Sequence, residues 1–161
     1  MLHFTDQEVT SGFRGKRIIR RWIVNELENR GLELGELNII FCSDAYILNL
    51  NKESLGHDFY TDIITFNYNT GKVISGDLFI SLDTVYANSA LYEQMFLPAS
   101  ICELCRVMIH GVLHLCGEDD TTTAKQKKMR VAENKALARL VSTFPIEQIK
   151  SSYKSCEKII K

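Results

Sequence analysis

The sequence predicts an α+β fold, and two kinds of pattern support this class. Longer stretches carry apolar residues at helical spacing, whereas three short segments rich in β-branched and aromatic residues are typical of strands. The chain of 161 residues has 45% hydrophobic and 24% charged content, which suits one core that hides roughly 70% of the unfolded surface. We therefore expect a single domain over residues 1–161, with a C-terminal tail from about residue 145.

The first helix is expected over residues 13–30, because apolar side chains recur there at helical spacing and Gly31 follows as a stop signal. Residues 37–42 are apolar and rich in β-branched or aromatic side chains, which indicates a strand. The Ser-Asp pair at residues 43–44 then offers an N-cap for a helix that reaches Asn51.

Two further strands are expected at residues 63–68 and 73–82. Gly71 lies between them and can take a positive φ, so we expect the two strands to form an antiparallel hairpin. After the hairpin, Asp83 is the expected cap of a helix that runs toward Met95.

The next helix is predicted to hold Pro98 in its first turn and to end near Gly117. Because this helix is nearly all apolar, it should lie in the core and expose polar side chains only where the apolar pattern is interrupted. The interrupting residues are Glu103, Arg106, His110 and His114. A last amphipathic helix is expected over residues 123–140.

The cysteines and the N-terminus indicate the compartment. The five cysteines are odd in number and mostly lie in apolar runs, which suits buried, reduced thiols better than a disulfide framework. The N-terminus lacks a basic segment followed by an apolar stretch, and no run of about 18 apolar residues occurs. We therefore expect a cytoplasmic protein that is neither secreted nor in contact with a membrane.

The formal net charge of −1 excludes a strong attraction of the whole molecule to phosphate. Any contact with nucleic acid must therefore come from a local cluster of basic residues. Two clusters exist, one formed by Arg14, Lys16, Arg17, Arg20 and Arg21, and one formed by Lys125, Lys127, Lys128 and Arg130. Each is either a solvated helix face or a phosphate-binding surface, and the second interpretation requires the cluster to flank the functional cleft.

The chemistry is concentrated near the end of the apolar helix. His110 and His114 are four residues apart, so they project from one face and lie close enough to bind one ion. Gly117 can turn the chain so that Asp120 returns as a third ligand. Such a set leaves a tetrahedral Zn²⁺ with an open position for water, which is typical of hydrolytic sites. The carboxylate also widens the accepted metals toward Mn²⁺ or Ni²⁺.

Two other zinc arrangements fit the residues less well. The spacing of His110, His114 and Asp120 also occurs in a class of zinc proteases, but Gly111 stands where those enzymes place the glutamate that deprotonates water. Cys102 and Cys105 superficially complete a Cys2His2 set. On one helix, however, Cys102 and His114 are separated by about 18 Å, far more than two ligands of one zinc can span.

The stretch HGVLHLCGEDD at residues 110–120 resembles the signature HGxLHLxGYDH of the YbeY family of single-strand-specific endoribonucleases, whose three histidines bind zinc. The resemblance extends over roughly residues 36–140. It includes LN at residues 50–51, TDIITF at 61–66, GDLFIS at 76–81, MR at 129–130 and Glu133.

The resemblance implies a small mixed four-stranded sheet packed against several helices, with a metal-binding central helix at the mouth of a cleft. It also implies an endoribonuclease that acts in maturation of small-subunit (16S) rRNA, including its 3′ end, and in ribosome quality control. Its partners would be single-stranded or ribosomal RNA and the small ribosomal subunit with its proteins. Two positions depart from the pattern, because Asp120 replaces the third histidine and Leu55 replaces an arginine associated with RNA handling or catalysis.

Four further residues are candidates for supporting roles. Asp119 would either orient a ligand histidine or cap the following helix, and Thr61, Asp62 and Thr65 would shape the cleft. Two other functions stay open at this point. The protein could be a metallopeptidase-like hydrolase, or a non-catalytic ribosome-assembly factor with a structural metal.

Overall fold

The computed structural model describes residues 1–58, 60–90 and 98–154. In chain order its elements are β1 (Leu2–Gln7), α1 (Lys16–Glu28), β2 (Glu33–Cys42), α2 (Asp44–Leu55), β3 (Ile63–Asn67), β4 (Val73–Ser81), α3 (Leu82–Ser89), α4 (Ala99–Leu115), α5 (Thr123–Thr143) and a 3₁₀ helix (Ile146–Gln148). This order of strands and helices confirms the predicted α+β class.

The described strands form one mixed sheet in the order β1-β2-β4-β3. Strands β1 and β4 both pair parallel with β2, whereas β3 pairs antiparallel with β4. The antiparallel pair is the hairpin predicted around Gly71, whose φ is 59°. The sheet is the small mixed four-stranded sheet that the family resemblance implied, and β1 and β3 are its two edges.

Strand β1 was not among the strands predicted from the sequence patterns. Its sequence, LHFTDQ, has apolar residues only at its first and third positions, so the pattern is too short to indicate a strand. Pairing with β2 overrides this weak local signal. Leu2 is completely buried, and Phe4 stacks on Phe13 with ring centroids 5.5 Å apart.

Helices cover both faces of the sheet. The main core lies between one face and helices α1, α4 and α5, with Trp22 of α1 donating a hydrogen bond to the carbonyl of Ala136 on α5 at 2.9 Å. On the other face, Ile47 of α2 packs with Cys42 and Ile64. The free edge of β3 therefore lies between α2 on one side and α4 on the other.

Helix α4 approaches the β3–β4 hairpin closely at Gly111. A Cβ atom at this position would lie 2.6 Å from Cδ1 of Ile63 and 3.0 Å from Cδ2 of Leu78. A side chain here would therefore require Ile63 and Leu78 to shift or the helix to move away from the sheet. Gly111 thus fixes how near the neighbouring histidine stands to β3.

Three expectations about the helices are corrected by the structure. Glu103 is only 2% exposed, because its carboxylate pairs with Arg106 within the protein rather than with water. Pro98 occupies the N-cap of α4 and not its first turn. The first helix begins at Lys16, after Gly15 with a φ of 97°.

The cap of α3 also differs from the prediction. Ser81 is the N-cap and accepts a hydrogen bond from the backbone N–H of Thr84 at 3.3 Å. Asp83 instead accepts a bond from the backbone N–H of Asp44 at 2.9 Å and so ties α3 to the start of α2. Helix α3 ends at Ser89, and the rest of the predicted helix, from residue 91, lies outside the described residues.

The described thiols are free, as the sequence analysis expected. Cys42, Cys102, Cys105 and Cys116 form no disulfide with one another, whereas Cys156 lies outside the described residues. Burial raises the pKa of the Cys42 thiol to about 12 and that of Cys116 to about 11. None of the described helices combines the length and apolar character needed to span a bilayer.

Candidate metal centre

Helix α4 presents His110 and His114 side by side on its outer face. The two rings meet edge to face, with centroids 4.5 Å apart and an angle of 84° between their planes. Their Nε2 atoms are 2.9 Å apart. The spacing of four residues therefore brings the two ring nitrogens to one point, as predicted.

The end of α4 returns Asp120 to the same point. Gly117 has a φ of 94°, and the N–H groups of Gly117 and Glu118 donate to the carbonyls of His114 and Leu113. This is the hydrogen-bond pattern of a Schellman motif, which reverses the chain direction. One carboxylate oxygen of Asp120, Oδ2, then lies 3.5 Å from Nε2 of His110 and 3.6 Å from Nε2 of His114.

The surroundings of His114 indicate which of its ring nitrogens can bind a metal ion. Nδ1 of His114 lies 3.0 Å from the carbonyl oxygen of Glu118. Because a carbonyl only accepts hydrogen bonds, Nδ1 carries the proton and Nε2 offers its lone pair. Nε2 is therefore the nitrogen of His114 that is placed to bind an ion on this face.

His110 is oriented by Glu133 of α5. Nδ1 of His110 is a buried atom without a hydrogen-bond partner among the described residues, and Oε1 of Glu133 lies 3.6 Å from it. A proton on this nitrogen points to the carboxylate and leaves Nε2 to face His114. Two lone pairs and the carboxylate of Asp120 then converge, and a cation relieves the repulsion that this arrangement creates.

Within the described residues, His110, His114 and Asp120 are the one group of metal-binding donors, and their ligand atoms all lie within 4.8 Å of one another. Two imidazole nitrogens and one carboxylate oxygen match the donor set of a catalytic zinc site with an open position. The residues present therefore fit a divalent ion. Cys102 and Cys105 belong to no such group.

Arg106 holds the carboxylate that faces His110. Its Nη1 donates to Oε1 of Glu133 at 2.8 Å, and its Nε donates to Oε2 of Glu103 at 2.9 Å. Burial raises the pKa of Glu133, but His110 and Arg106 outweigh burial and hold that pKa below its usual value. Burial lowers the pKa of Arg106, and the two glutamates outweigh it and raise that pKa.

The sequence analysis missed this buried network. It treated Glu103 and Arg106 as exposed interruptions and noted Glu133 only as a match to the family. The signal was available in part, since Glu103 and Arg106 are three residues apart on an otherwise apolar helix and can pair there. The approach of α5 to α4 that brings in Glu133 has no counterpart in the sequence pattern.

A cleft of about 550 Å³ opens beside the three candidate ligands. Thr61, Asp62 and Thr65, which were predicted to shape a cleft, all line it. The structure thus brings these three residues together with His110, His114 and Asp120. The cleft is also lined by Asn51, Leu55 and His57, which come from α2 and the turn after it.

Asp119 takes neither of its two predicted roles, because it does not cap α5 and its carboxylate is bonded to Thr121 and Lys125 and not to a histidine. Its carboxylate accepts hydrogen bonds from the backbone N–H of Thr121 at 2.9 Å and from Nζ of Lys125 at 2.6 Å. The bonds from Lys125 and Thr121 lower the pKa of Asp119. The N-cap of α5 is Thr122. The groups that face Nδ1 of His114 and Nδ1 of His110 are the backbone carbonyl of Glu118 and the carboxylate of Glu133, respectively.

The two basic clusters lie in different places, one at the β1 edge of the sheet and one beside the candidate metal centre. In the first, Arg20 donates to the carbonyl of Leu2 and Nζ of Lys16 is 6.0 Å from the ring centroid of Phe4, both on the β1 edge. In the second, Lys125 pairs with Asp119 beside the candidate metal centre. The second cluster is therefore the one that adjoins the cleft, because Asp119 precedes Asp120, which lines it; the basic side chains themselves are not among the lining residues.

Comparison with known proteins gives a consistent set of relatives. A family model described as Endoribonuclease YbeY matches residues 2–141. A protein named endoribonuclease YbeY from Bacteroides thetaiotaomicron is 51% identical over 123 residues, which cover 76% of this chain and 87% of the relative. Its namesake from Porphyromonas gingivalis strain W83 is 44% identical over 132 residues, covering 82% and 85%.

The fold also resembles a solved structure. A solution structure of a protein from Thermotoga maritima superposes with a TM-score of 0.56, covering 96% of this chain and 100% of the other. The two sequences are 21% identical. At this identity the comparison supports the arrangement of helices and strands.

Proposed function

This chain belongs to the endoribonuclease YbeY family, and we propose that it is a metal-dependent endoribonuclease that cleaves single-stranded RNA. Its role is in maturation of small-subunit (16S) rRNA, including the 3′ end, and in ribosome quality control, with the small ribosomal subunit as partner. The observation that carries the proposal is the convergence of His110, His114 and Asp120 on one point beside an open cleft. We place this activity in the cytoplasm, where the thiols stay reduced.

The three side chains would hold Zn²⁺, with Mn²⁺ or Ni²⁺ as further candidates because Asp120 supplies an oxygen ligand. When bound, such an ion polarises a phosphodiester oxygen or lowers the pKa of a water so that it becomes a nucleophile. The contribution of the chain is to fix the ligands. The backbone carbonyl of Glu118 lies 3.0 Å from Nδ1 of His114, and the carboxylate of Glu133 lies 3.6 Å from Nδ1 of His110, so both Nε2 atoms face the reacting region.

Basic residues beside the cleft supply the attraction for RNA. Lys125, Lys127, Lys128 and Arg130 are exposed on the first turns of α5, directly after Asp120. Leu55, which stands where the family pattern has an arginine, is 48% exposed at the cleft. The cation that this position would provide must therefore come from the basic residues of α5.

The packing of Gly111 argues against a metallopeptidase. A glutamate at this position would serve as the general base in zinc peptidases. A Cβ atom would lie 2.6 Å from Cδ1 of Ile63, so a glutamate would also require Ile63 and Leu78 to shift. The chain therefore lacks the base that peptide hydrolysis at such a site requires.

The test is cleavage of a labelled single-stranded RNA, compared with the same sequence annealed to its complement. We expect cleavage of the single strand, loss of cleavage with a chelator and its return when Zn²⁺ or Mn²⁺ is added. Cleavage that persists after complete removal of metal contradicts metal dependence. Binding to small ribosomal subunits without any RNA cleavage supports the assembly-factor alternative instead.

A further inference from the structure

Strand β3 forms the floor of the cleft along its free edge. It pairs only with β4 in the described sheet. The backbone of Asp62 accepts from Ser81 on the β4 side, and the N–H of Tyr68 donates to Ser75 on the same side. Because such bonds alternate along an antiparallel pair, the backbone N–H and C=O groups of Ile63, Thr65 and Asn67 point away from β4 and into the cleft. The C=O of Ile63 already accepts from the hydroxyl of Thr61 at 3.3 Å.

The walls of the cleft come from two helices. Leu55 near the end of α2 lines one side, and His110 and His114 of α4 line the other. Helix α4 follows β3 closely, because Gly111 meets Ile63 and the side chain of Leu115 approaches Gly76, the partner of Asn67. The candidate metal ligands therefore stand above the strand and not beyond its end.

Two exposed tyrosines bracket this edge. Tyr60 is 62% exposed and precedes Thr61 at the start of the floor, whereas Tyr68 is 58% exposed and follows Asn67 at its other end. The segment that carries Tyr68 is held next to the candidate metal centre, because Nδ2 of Asn69 donates to the carbonyl of Leu115 at 2.7 Å. Neither ring lines the cleft itself, but each tyrosine adjoins a residue that does, so a ligand longer than the cleft would reach both rings.

We propose that single-stranded RNA lies along the free edge of β3, with one base stacked on Tyr60, another on Tyr68, and the scissile phosphate between them below His110, His114 and Asp120. The proposal rests on the function proposed above and names the residues that select the substrate. Aromatic rings accept any base on their faces. The outward backbone donors suit phosphate or base oxygens, and the outward carbonyls of Thr65 and Asn67 suit amino groups and the 2′-hydroxyl.

This arrangement accounts for a preference for single strands. Bases that are paired in a duplex stay stacked on one another and cannot turn onto two separate tyrosine rings. A strand edge can also pair with an extended peptide, but peptide binding needs no base-stacking rings at the two ends. The tyrosines therefore favour RNA as the occupant.

The test uses single-turnover cleavage of a short unstructured RNA over a range of concentrations of metal-loaded protein. In Tyr60→Ala and in Tyr68→Ala, the protein concentration that gives half the maximal rate should rise by about tenfold or more, while the maximal rate changes less. Phenylalanine at either position should restore the wild-type value. Tyr86→Ala is the matched control, since Tyr86 lies on α3 and is also exposed.

The outcomes separate this proposal from the function on which it rests. If wild-type protein cleaves RNA but either alanine variant, shown by its melting curve to be folded, keeps a half-saturating concentration within about twofold of wild type, the proposal is overturned and the function stands. If an unstructured peptide displaces the RNA and the tyrosine variants bind that peptide normally, the edge takes peptides and the proposal is overturned. Wild-type protein that cleaves no RNA contradicts both.

Discussion

Glu133 of α5 places its carboxylate oxygen Oε1 3.6 Å from Nδ1 of His110 on α4. Both groups are removed from solvent, since the side chain of Glu133 is 3% exposed and Nδ1 of His110 is buried. Arg106 contacts the same carboxylate from the other side. Glu133 thus faces the second ring nitrogen of a candidate metal ligand, although it does not itself line the cleft.

Replacing this carboxylate should weaken metal binding. In Glu133→Gln the side chain keeps its size but loses the charge that holds the proton of His110 on Nδ1, so the affinity for Zn²⁺ should fall by about 10- to 100-fold. Competition with a chromophoric chelator measures this affinity. Glu36→Gln, at an exposed residue near the N-terminus, serves as the control, and an unchanged affinity in Glu133→Gln contradicts the role assigned to Glu133.

Adding a side chain at Gly111 should lower the free energy of unfolding, because α4 approaches the sheet closely there. In Gly111→Ala the added methyl group overlaps Ile63 and Leu78, which costs about 1–3 kcal/mol, although alanine returns about 1 kcal/mol through its higher helix propensity. We expect a net destabilisation of about 1 kcal/mol, measured by urea unfolding. Ser142→Ala, on the exposed face of α5, is the control for introducing an alanine into a helix where it meets no neighbouring element. A Gly111→Ala variant that is more stable than wild type would show that the stability of the fold does not depend on this close contact.

Alkaline pH should destabilise the fold through its buried thiols. Burial raises the folded-state pKa of Cys42 to about 12, whereas a thiol in the unfolded chain has a pKa of about 8.5. The stabilisation is complete below the lower value and is lost as the pH rises toward the higher one. The free energy of unfolding should therefore fall between about pH 8.5 and 12, and less steeply in Cys42→Ala. Equal slopes in the two proteins would contradict a buried, protonated Cys42.

The basic cluster on α5 should contribute to RNA binding by contacting phosphate groups of the RNA. Lys128→Ala should weaken binding of single-stranded RNA and lower the slope of log affinity against log salt by about 0.7, the value for one lost phosphate contact. Fluorescence anisotropy at several salt concentrations gives this slope. Lys16→Ala, on the opposite edge of the sheet, should leave both quantities unchanged, and an equal effect of the two substitutions would mean that binding does not depend on the cleft.

The strongest sequence signals were local ones. The convergence of His110 and His114 followed from helical spacing, the return of Asp120 from its place after a helix-ending glycine, and the β3–β4 hairpin from Gly71. What escaped prediction depends on contacts between distant segments. Strand β1 exists because it pairs with β2, and Glu133 reaches His110 only because α5 packs on α4, so neither leaves a periodic pattern in the chain.

The metal content of the purified protein, measured by elemental analysis together with cleavage of a labelled single-stranded RNA, tests the central claim most directly. Wild type should carry about one divalent ion per chain and cleave the RNA, and His114→Ala should lose both together, because only two of the three candidate ligands would remain. Wild-type protein that cleaves RNA without bound metal, or a His114→Ala variant that keeps metal and activity, would contradict the account.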